Sequence, residues 1–203
     1  MTLDEHSIVR LTQIGSDPNT TYINANYVAG NNSEDEYIAC QAPLHTTLGD
    51  FYRMLIEQNV KIVINLLERE NPSYFPSCLN ISNDDNLNNN PTNDNSIECE
   101  IAMDKEFPEL KSKIRLVLVS DDDREYYRIR TVDICAEGRP KHRVLQFHYR
   151  IWEDFGTPEN ARTLIEFVKA VRRHTGRLKS STLSSRASPS HMSTSSPIVV
   201  HCK

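Results

Sequence analysis

The sequence contains no run of about 18 apolar residues, the length that an α-helix needs to cross a bilayer, so no membrane-spanning helix is predicted. Its first residues, Met1 to His6, are polar and acidic and lack the apolar core of a signal peptide. An excess of positive charge is also missing, because the formal net charge is -5. We therefore expect neither nucleic acid nor a membrane surface as a partner.

The sequence also lacks the cysteine pattern of a secreted, disulfide-stapled domain. Its cysteines number five, an odd count, and they are scattered along the chain. This usage predicts a reducing compartment, the cytoplasm. The histidines show no metal-ligand spacing with the cysteines, so we predict no metal and no cofactor. The cysteines are Cys40, Cys78, Cys99, Cys135 and Cys202.

Two polar segments interrupt an otherwise globular composition. The first, about 80–95, is rich in Asn and Asp, and the second, about 180–196, is rich in Ser. Neither can bury enough apolar surface to offset its ordering entropy, so both are predicted to be inserts at the surface. The chain has 203 residues, of which 38% are hydrophobic and 25% charged, enough for one domain over 1–203.

Apolar patterning outside these inserts predicts an α/β fold with a twisted, mixed sheet flanked by helices. One helix is predicted over Thr47–Gln58, with Thr47 and Asp50 as a capping box. A second is predicted over Asn160–His174, ending at Gly176. The strands are expected at Lys61–Leu67, Ile114–Val119, Tyr126–Ile134, Arg143–Ile151 and Pro197–Cys202, the third and fourth forming a hairpin.

Candidate chemistry begins with His201 and Cys202 at the end of the last apolar strand. Reactive groups in α/β sheets collect at the carboxyl ends of strands, and a helix N-terminus after such a cysteine would favour its thiolate. Taken alone, the two residues fit an ordinary buried strand cysteine better than a nucleophile.

A second candidate is the loop Trp152–Pro158, in which Asp154 lies between aromatic residues and is followed by Gly and Pro. Its carboxyl group could act as a general acid, or the segment could be only an acidic turn after a strand. The segment Tyr22–Tyr27 is interpreted as structural, its asparagine amides satisfying backbone groups near a turn.

Taken in order, five blocks resemble the classical protein tyrosine phosphatases. They are His6–Leu11, Tyr22–Tyr27, Tyr37–Leu44, Gln146–Pro158 and Pro197–Cys202. The fourth resembles the family's Phe-His-Tyr…Trp-Pro-Asp-x-Gly-x-Pro loop, with Glu in place of the first Pro. The fifth resembles the strand that enters the family's His-Cys-x5-Arg phosphate loop.

The resemblance implies a function and a role for each matching residue. Cys202 is implied as the nucleophile that forms a cysteinyl-phosphate intermediate, and Asp154 as the general acid. His201 is implied to help keep the thiolate ionised, and Glu68 or Glu70 lies near the family's acidic loop residue. The implied substrates are phosphotyrosine-containing proteins; the sequence indicates no oligomeric state.

The family's phosphate-gripping Arg would follow Lys203, and its phosphotyrosine-stacking segment would precede Met1. We therefore expect the 203 residues to be a phosphatase domain truncated at both ends, and inactive when isolated. The alternatives are a non-catalytic pseudophosphatase that binds partners and a product that does not fold. Turnover and thermal unfolding measurements separate the three.

Overall fold

The computed structural model describes residues 6–31, 33–67, 97–101, 114–136, 138–152, 156–158, 160–183 and 196–202. In this part of the chain nine strands form one sheet, with two α-helices, α1 (Leu48–Glu57) and α2 (Ala161–Leu183). The strands are β1 (Ile8–Arg10), β2 (Tyr22–Val28), β3 (Tyr37–Gln41), β4 (Ile62–Asn65), β5 (Ile97–Ile101), β6 (Ile114–Asp123), β7 (Tyr127–Ala136), β8 (His142–Tyr149) and β9 (Ile198–Cys202).

The sheet has the order β1-β2-β3-β9-β4-β8-β7-β6-β5. Its four central strands are parallel, because β9 pairs in parallel with both β3 and β4, and β4 pairs in parallel with β8. The outer pairings are antiparallel. The predicted α/β fold with a mixed sheet is confirmed, and the last strand of the chain lies at its centre.

Alternate residues of the central strands pack into two apolar clusters, one on each face of the sheet. Val63 and Val199 lie in the cluster that contains the apolar side of α1. Their neighbours Ile64 and Val200 belong to the cluster that contains Phe167 of α2. A strand that is covered on both faces reads as a continuous apolar run, which is why the sequence pattern located these strands.

The remaining strand predictions are confirmed within one or two residues at their starts. β7 and β8 form the expected hairpin, and Gly138 in its turn has a φ of 69°, a conformation that residues with a Cβ rarely adopt. The strand β5 was not predicted. The segment Tyr22–Tyr27 lies in the strand β2, where the Asn26 amide donates to the Ser7 hydroxyl, 2.8 Å away.

The capping-box prediction for α1 is wrong, although the helix itself is confirmed. The Thr47 hydroxyl turns back to accept from the backbone N–H of Leu44 at 3.0 Å. The Asp50 carboxylate instead pairs with the guanidinium of Arg53 at 2.7 Å. Arg53 is almost fully buried, and the Asp50 carboxylate supplies its counter-charge. The carboxylate that was predicted to cap the helix is therefore bound to Arg53 instead.

The predicted end of α2 is also wrong. The helix continues through Gly176 to Leu183 and includes the start of the Ser-rich segment. A single glycine costs a helix only about 1 kcal/mol relative to alanine, so it marks an end only when the chain turns there. The Asn-rich segment and residues 184–195 lie outside the described residues. No helix in the described part of the chain is long and apolar enough to cross a membrane.

Candidate active site

The carboxyl ends of the parallel strands meet at one edge of the sheet, where Cys202 is the last residue of β9. Both neighbouring strands hold this end in place as they leave the sheet. The backbone N–H of Ala42, after β3, donates to the Cys202 carbonyl at 2.9 Å. The N–H of Leu66, after β4, donates to the His201 carbonyl at 3.0 Å. The backbone that carries the candidate nucleophile is therefore fixed from two sides.

His201 and Cys202 lie on opposite faces of the sheet, because side chains alternate along a strand. Cys202 shares its face with Val200 and with the α2 cluster, and it is exposed. His201 points to the α1 side and is only 1% exposed. Its ring meets the Phe51 ring edge-on, with centroids 6.0 Å apart. The His201 ring therefore lies on the opposite side of β9 from the Cys202 thiol.

Two further polar residues lie in the same register row as His201 on the neighbouring strands. Asn65 of β4 pairs with His201 on one side and with His148 of β8 on the other. All three are buried, which is costly for polar side chains unless they are bonded. Asn65 was not predicted as a site residue. The signal that could have found it is a polar amide at the end of the apolar run of β4.

Asn65 and His148 together fix the chain where it leaves β4. The Asn65 side-chain oxygen accepts from the Leu67 N–H at 2.9 Å. The Nε2 atom of His148 lies 2.7 Å from the Leu67 carbonyl oxygen, so this nitrogen carries the proton. Both backbone groups of Leu67 are thus bonded. Glu68 and Glu70, the candidates for the family's acidic loop residue, lie outside the described residues.

The loop after β8 contains the candidate general acid. Asp154 lies outside the described residues together with Glu153 and Phe155, but Trp152 before them and Gly156 after them are described. The indole N–H of Trp152 donates to the Gly156 carbonyl at 3.1 Å and so spans the loop. Trp152 also packs against the α2 cluster, which ties this side of the loop to the sheet.

The base of this loop is closed by a chain of hydroxyl groups. The Thr163 hydroxyl, in the first turn of α2, donates to the Asn160 carbonyl at 2.8 Å. It lies 2.9 Å from the Tyr149 hydroxyl, which must then be the donor in this second bond. The Asn160 side chain accepts from the Arg162 N–H at 2.9 Å and caps the helix. The end of β8 is therefore bonded directly to the start of α2.

The described cysteines differ in environment. Burial raises the pKa of the Cys40 thiol to about 12, so this residue stays protonated at neutral pH. Cys202 is exposed, whereas Cys40 and Cys135 are half-buried. Among the described residues no group of three or more His, Cys, Asp or Glu side chains is placed to hold a metal ion.

Comparison with known proteins assigns the chain to a family. Residues 1–203 match the family model for protein-tyrosine phosphatase. Receptor-type tyrosine-protein phosphatase F of Rattus norvegicus is 30% identical over 169 residues, 83% of this chain and 8% of that protein. Putative receptor-type tyrosine-protein phosphatase mosPTP-1 of Aedes aegypti is 30% identical over 209 residues, 98% of this chain and 13% of that protein. The chain thus spans a small part of the length of these relatives, and it belongs to the protein tyrosine phosphatase family.

Proposed function

We propose that this chain supplies the nucleophile and the general acid of a phosphatase that dephosphorylates phosphotyrosine in proteins. The observation that carries the proposal is the exposed thiol of Cys202 at the carboxyl end of the central strand, with its backbone bonded on both sides. A nucleophile placed on a rigid strand end meets its substrate without first having to be ordered.

In the proposed reaction the Cys202 thiolate attacks the phosphorus atom of phosphotyrosine. A sulfur–phosphorus bond forms as the bond to the tyrosine oxygen breaks, and Asp154 gives its proton to that oxygen. Water then attacks the phosphorus atom and passes a proton to the Asp154 carboxylate. The sulfur–phosphorus bond breaks, inorganic phosphate leaves, and both groups return to their starting states.

The fixed base of the Asp154 loop supports the role of this residue. Its two flanks are joined by the Trp152–Gly156 bond, and its entry and exit are joined by the Tyr149–Thr163 bond. These bonds hold the two ends of the segment that carries Asp154 at the carboxyl edge of the sheet, on the edge where Cys202 lies. The reaction also needs a reduced thiol, so the proposal places the domain in the cytoplasm.

Alkylation of the full chain with iodoacetamide tests the nucleophile. The thiolate is the reacting species, and burial raises the pKa of the Cys40 thiol to about 12, so this thiol is almost entirely protonated at pH 7. We expect peptide mass spectrometry to show Cys202 labelled far faster than Cys40. Equal rates at the two sites, or faster labelling of Cys40, would contradict the proposal.

Phosphate release from a phosphotyrosine peptide tests the reaction itself. Any release must disappear in Cys202→Ser and must be absent with the matching phosphoserine peptide. The control Cys135→Ser removes another described thiol and should change nothing. Release that survives Cys202→Ser excludes this residue as the nucleophile.

A further inference from the structure

A groove lies between α2 and the turn that joins β6 to β7, away from the proposed active site. Its volume is about 680 Å³. A second cavity of about 310 Å³ adjoins it and shares part of its wall. We call the larger one the basic groove; it is lined by Arg124, Tyr127, Glu166, Lys169, Arg172 and Arg173.

The charges that line the basic groove sum to an excess of positive charge. Asp122, beside it, is held by Arg124 through bonds of 2.8 and 3.0 Å. Glu166 is paired with Arg162 at 3.2 Å, outside the groove. The two carboxylates that line these cavities are therefore already engaged by arginines.

Three cations of α2 contribute the excess. Arg172 and Arg173 follow Lys169 by three and four positions, a spacing that places both side chains next to that of Lys169 on the helix surface. No carboxylate of the described residues is within ion-pairing distance of any of the three. On a chain whose net charge is -5, these three side chains form a local concentration of positive charge.

The wall opposite α2 is held in one shape before any ligand arrives. The guanidinium of Arg124 lies 5.9 Å from the centre of the Tyr127 ring, and its backbone N–H donates to the Tyr127 carbonyl at 3.0 Å. Arg150 donates to the Arg124 carbonyl and pairs with Asp123 at 2.7 Å. A wall ordered in advance lowers the entropy lost on binding.

The strand register sets the least distance between the basic groove and the nucleophile. Tyr127 of β7 pairs with Tyr149 of β8, and β4 separates β8 from β9. Three strand spacings of about 4.8 Å place the Tyr127 and Cys202 backbones about 14 Å apart. An extended chain advances about 3.3 Å per residue, so at least about four residues are needed to connect the two places.

We propose that the basic groove binds an acidic segment of the substrate protein, one that carries carboxylates or a further phosphate group. The identity of the partner as a substrate rests on the proposed function. The segment is separated from the phosphotyrosine by at least about four residues. Binding of this segment affects which substrate is preferred. It does not change the proposed chemical step at Cys202.

Charge also favours a protein segment over a larger polyanion. Asp122 and Asp123 end β6 directly before Arg124, and Glu125 follows it in the turn. A nucleic-acid duplex or an anionic bilayer extends beyond the Debye length of about 8 Å and would meet these carboxylates and the net negative charge. A short acidic peptide can enter the groove and avoid them.

The test is the fluorescence anisotropy of a labelled hexaglutamate peptide titrated with the full chain in about 50 mM salt. The groove variant is Lys169→Gln/Arg173→Gln. The matched control is Arg10→Gln/Arg139→Gln, which removes two positive charges from exposed positions outside the groove. We expect the groove variant to weaken binding about tenfold and the control to change it less than about twofold.

Several results would overturn the proposal: no saturable binding of hexaglutamate by the wild type, or equal weakening in both variants. Tighter binding to vesicles containing phosphatidylserine, or to a DNA duplex, that is lost in the groove variant would assign the site to those ligands instead. Circular dichroism checks that both variants keep the wild-type fold.

The rate of Cys202 alkylation separates this proposal from the proposed function. We expect the same rate in the wild type and in both variants, since neither pair of substitutions contacts the thiol. Peptide binding with an unreactive Cys202 would remove the substrate role and so overturn the inference as stated. A reactive Cys202 without peptide binding would overturn only the inference.

Discussion

The bond between the Tyr149 and Thr163 hydroxyl groups can be measured by a double-mutant cycle. Both residues are buried, with 0% and 4% of their surfaces exposed, and the two oxygens are 2.9 Å apart. The bond closes the base of the Asp154 loop. We predict that it couples the end of β8 to the start of α2 by about 1 kcal/mol.

The magnitudes follow from which group each substitution leaves unsatisfied. Tyr149→Phe removes one donor, while Thr163 keeps its bond to the Asn160 carbonyl, so the loss of stability should be about 1 kcal/mol. Thr163→Val leaves a buried tyrosine hydroxyl without its acceptor, and the loss should be about 2 kcal/mol. The double variant removes both groups and should lose about 2 kcal/mol rather than about 3 kcal/mol.

Urea unfolding gives these free energies. The only tryptophan of the chain, Trp152, lies in the loop itself and reports on it through its fluorescence, while circular dichroism reports on the whole fold. The control cycle is Ser120→Ala and Thr131→Val, which removes an exposed hydroxyl–hydroxyl bond of 2.8 Å. Its coupling should be below about 0.5 kcal/mol. Equal coupling in the two cycles would refute the reasoning that burial makes the Tyr149 bond matter.

Three further predictions concern other groups. Asn65→Ala should lower the free energy of unfolding, measured by urea titration, by about 1–3 kcal/mol, because the buried Leu67 N–H loses its acceptor. The control Asn24→Ala, at an exposed amide, should lower it by less than about 0.5 kcal/mol. The hydrogen bond from Arg143 lowers the pKa of Asp133 below its ordinary value of 3.8, so its stabilising effect is full above pH 4 and is lost as the pH falls through the lowered pKa. Unfolding free energy should therefore fall more steeply with acid in the wild type than in Asp133→Asn, and parallel curves would contradict this. Phe51→Ala should cost about 3–5 kcal/mol by urea unfolding, since the ring is buried between α1 and His201; a loss below about 1 kcal/mol would show that the site repacks.

The elements that could be predicted are those in which buried residues form a recognisable apolar run or a regular apolar spacing along the sequence. The run Lys61–Leu67 indicated a strand because β4 is covered on both faces, and the helical spacing of apolar residues located α1. β5 was not predicted because isoleucine and cysteine alternate with glutamate in Ile97–Ile101. In the described part of the chain this strand lies at the edge of the sheet and pairs with β6. A strand at an edge has less apolar surface to bury, so its pattern is weaker.

Helix ends were predicted less well than the helices. The Thr47 and Gly176 signals describe what an isolated peptide prefers. In the folded chain the buried Arg53 takes the Asp50 carboxylate. α2 passes Gly176 because the chain does not turn at that residue. A local helix-end preference of about 1 kcal/mol is small enough for a tertiary contact such as the Asp50–Arg53 pair to override it.

The sequence by itself determined the family to which the chain belongs and supplied the candidate site residues. The order of the blocks around His201, Cys202 and Asp154 was sufficient for that, because residue types and their spacing are properties of the chain. Tertiary structure alone decided that Cys202 ends a strand bonded on both sides, that His201 faces away from it, and that Asn65 and His148 share its row. It also brought the cations of α2 against the β6–β7 turn. These are relations between strands and helices far apart in the chain, and they exist only once the sheet has set their register.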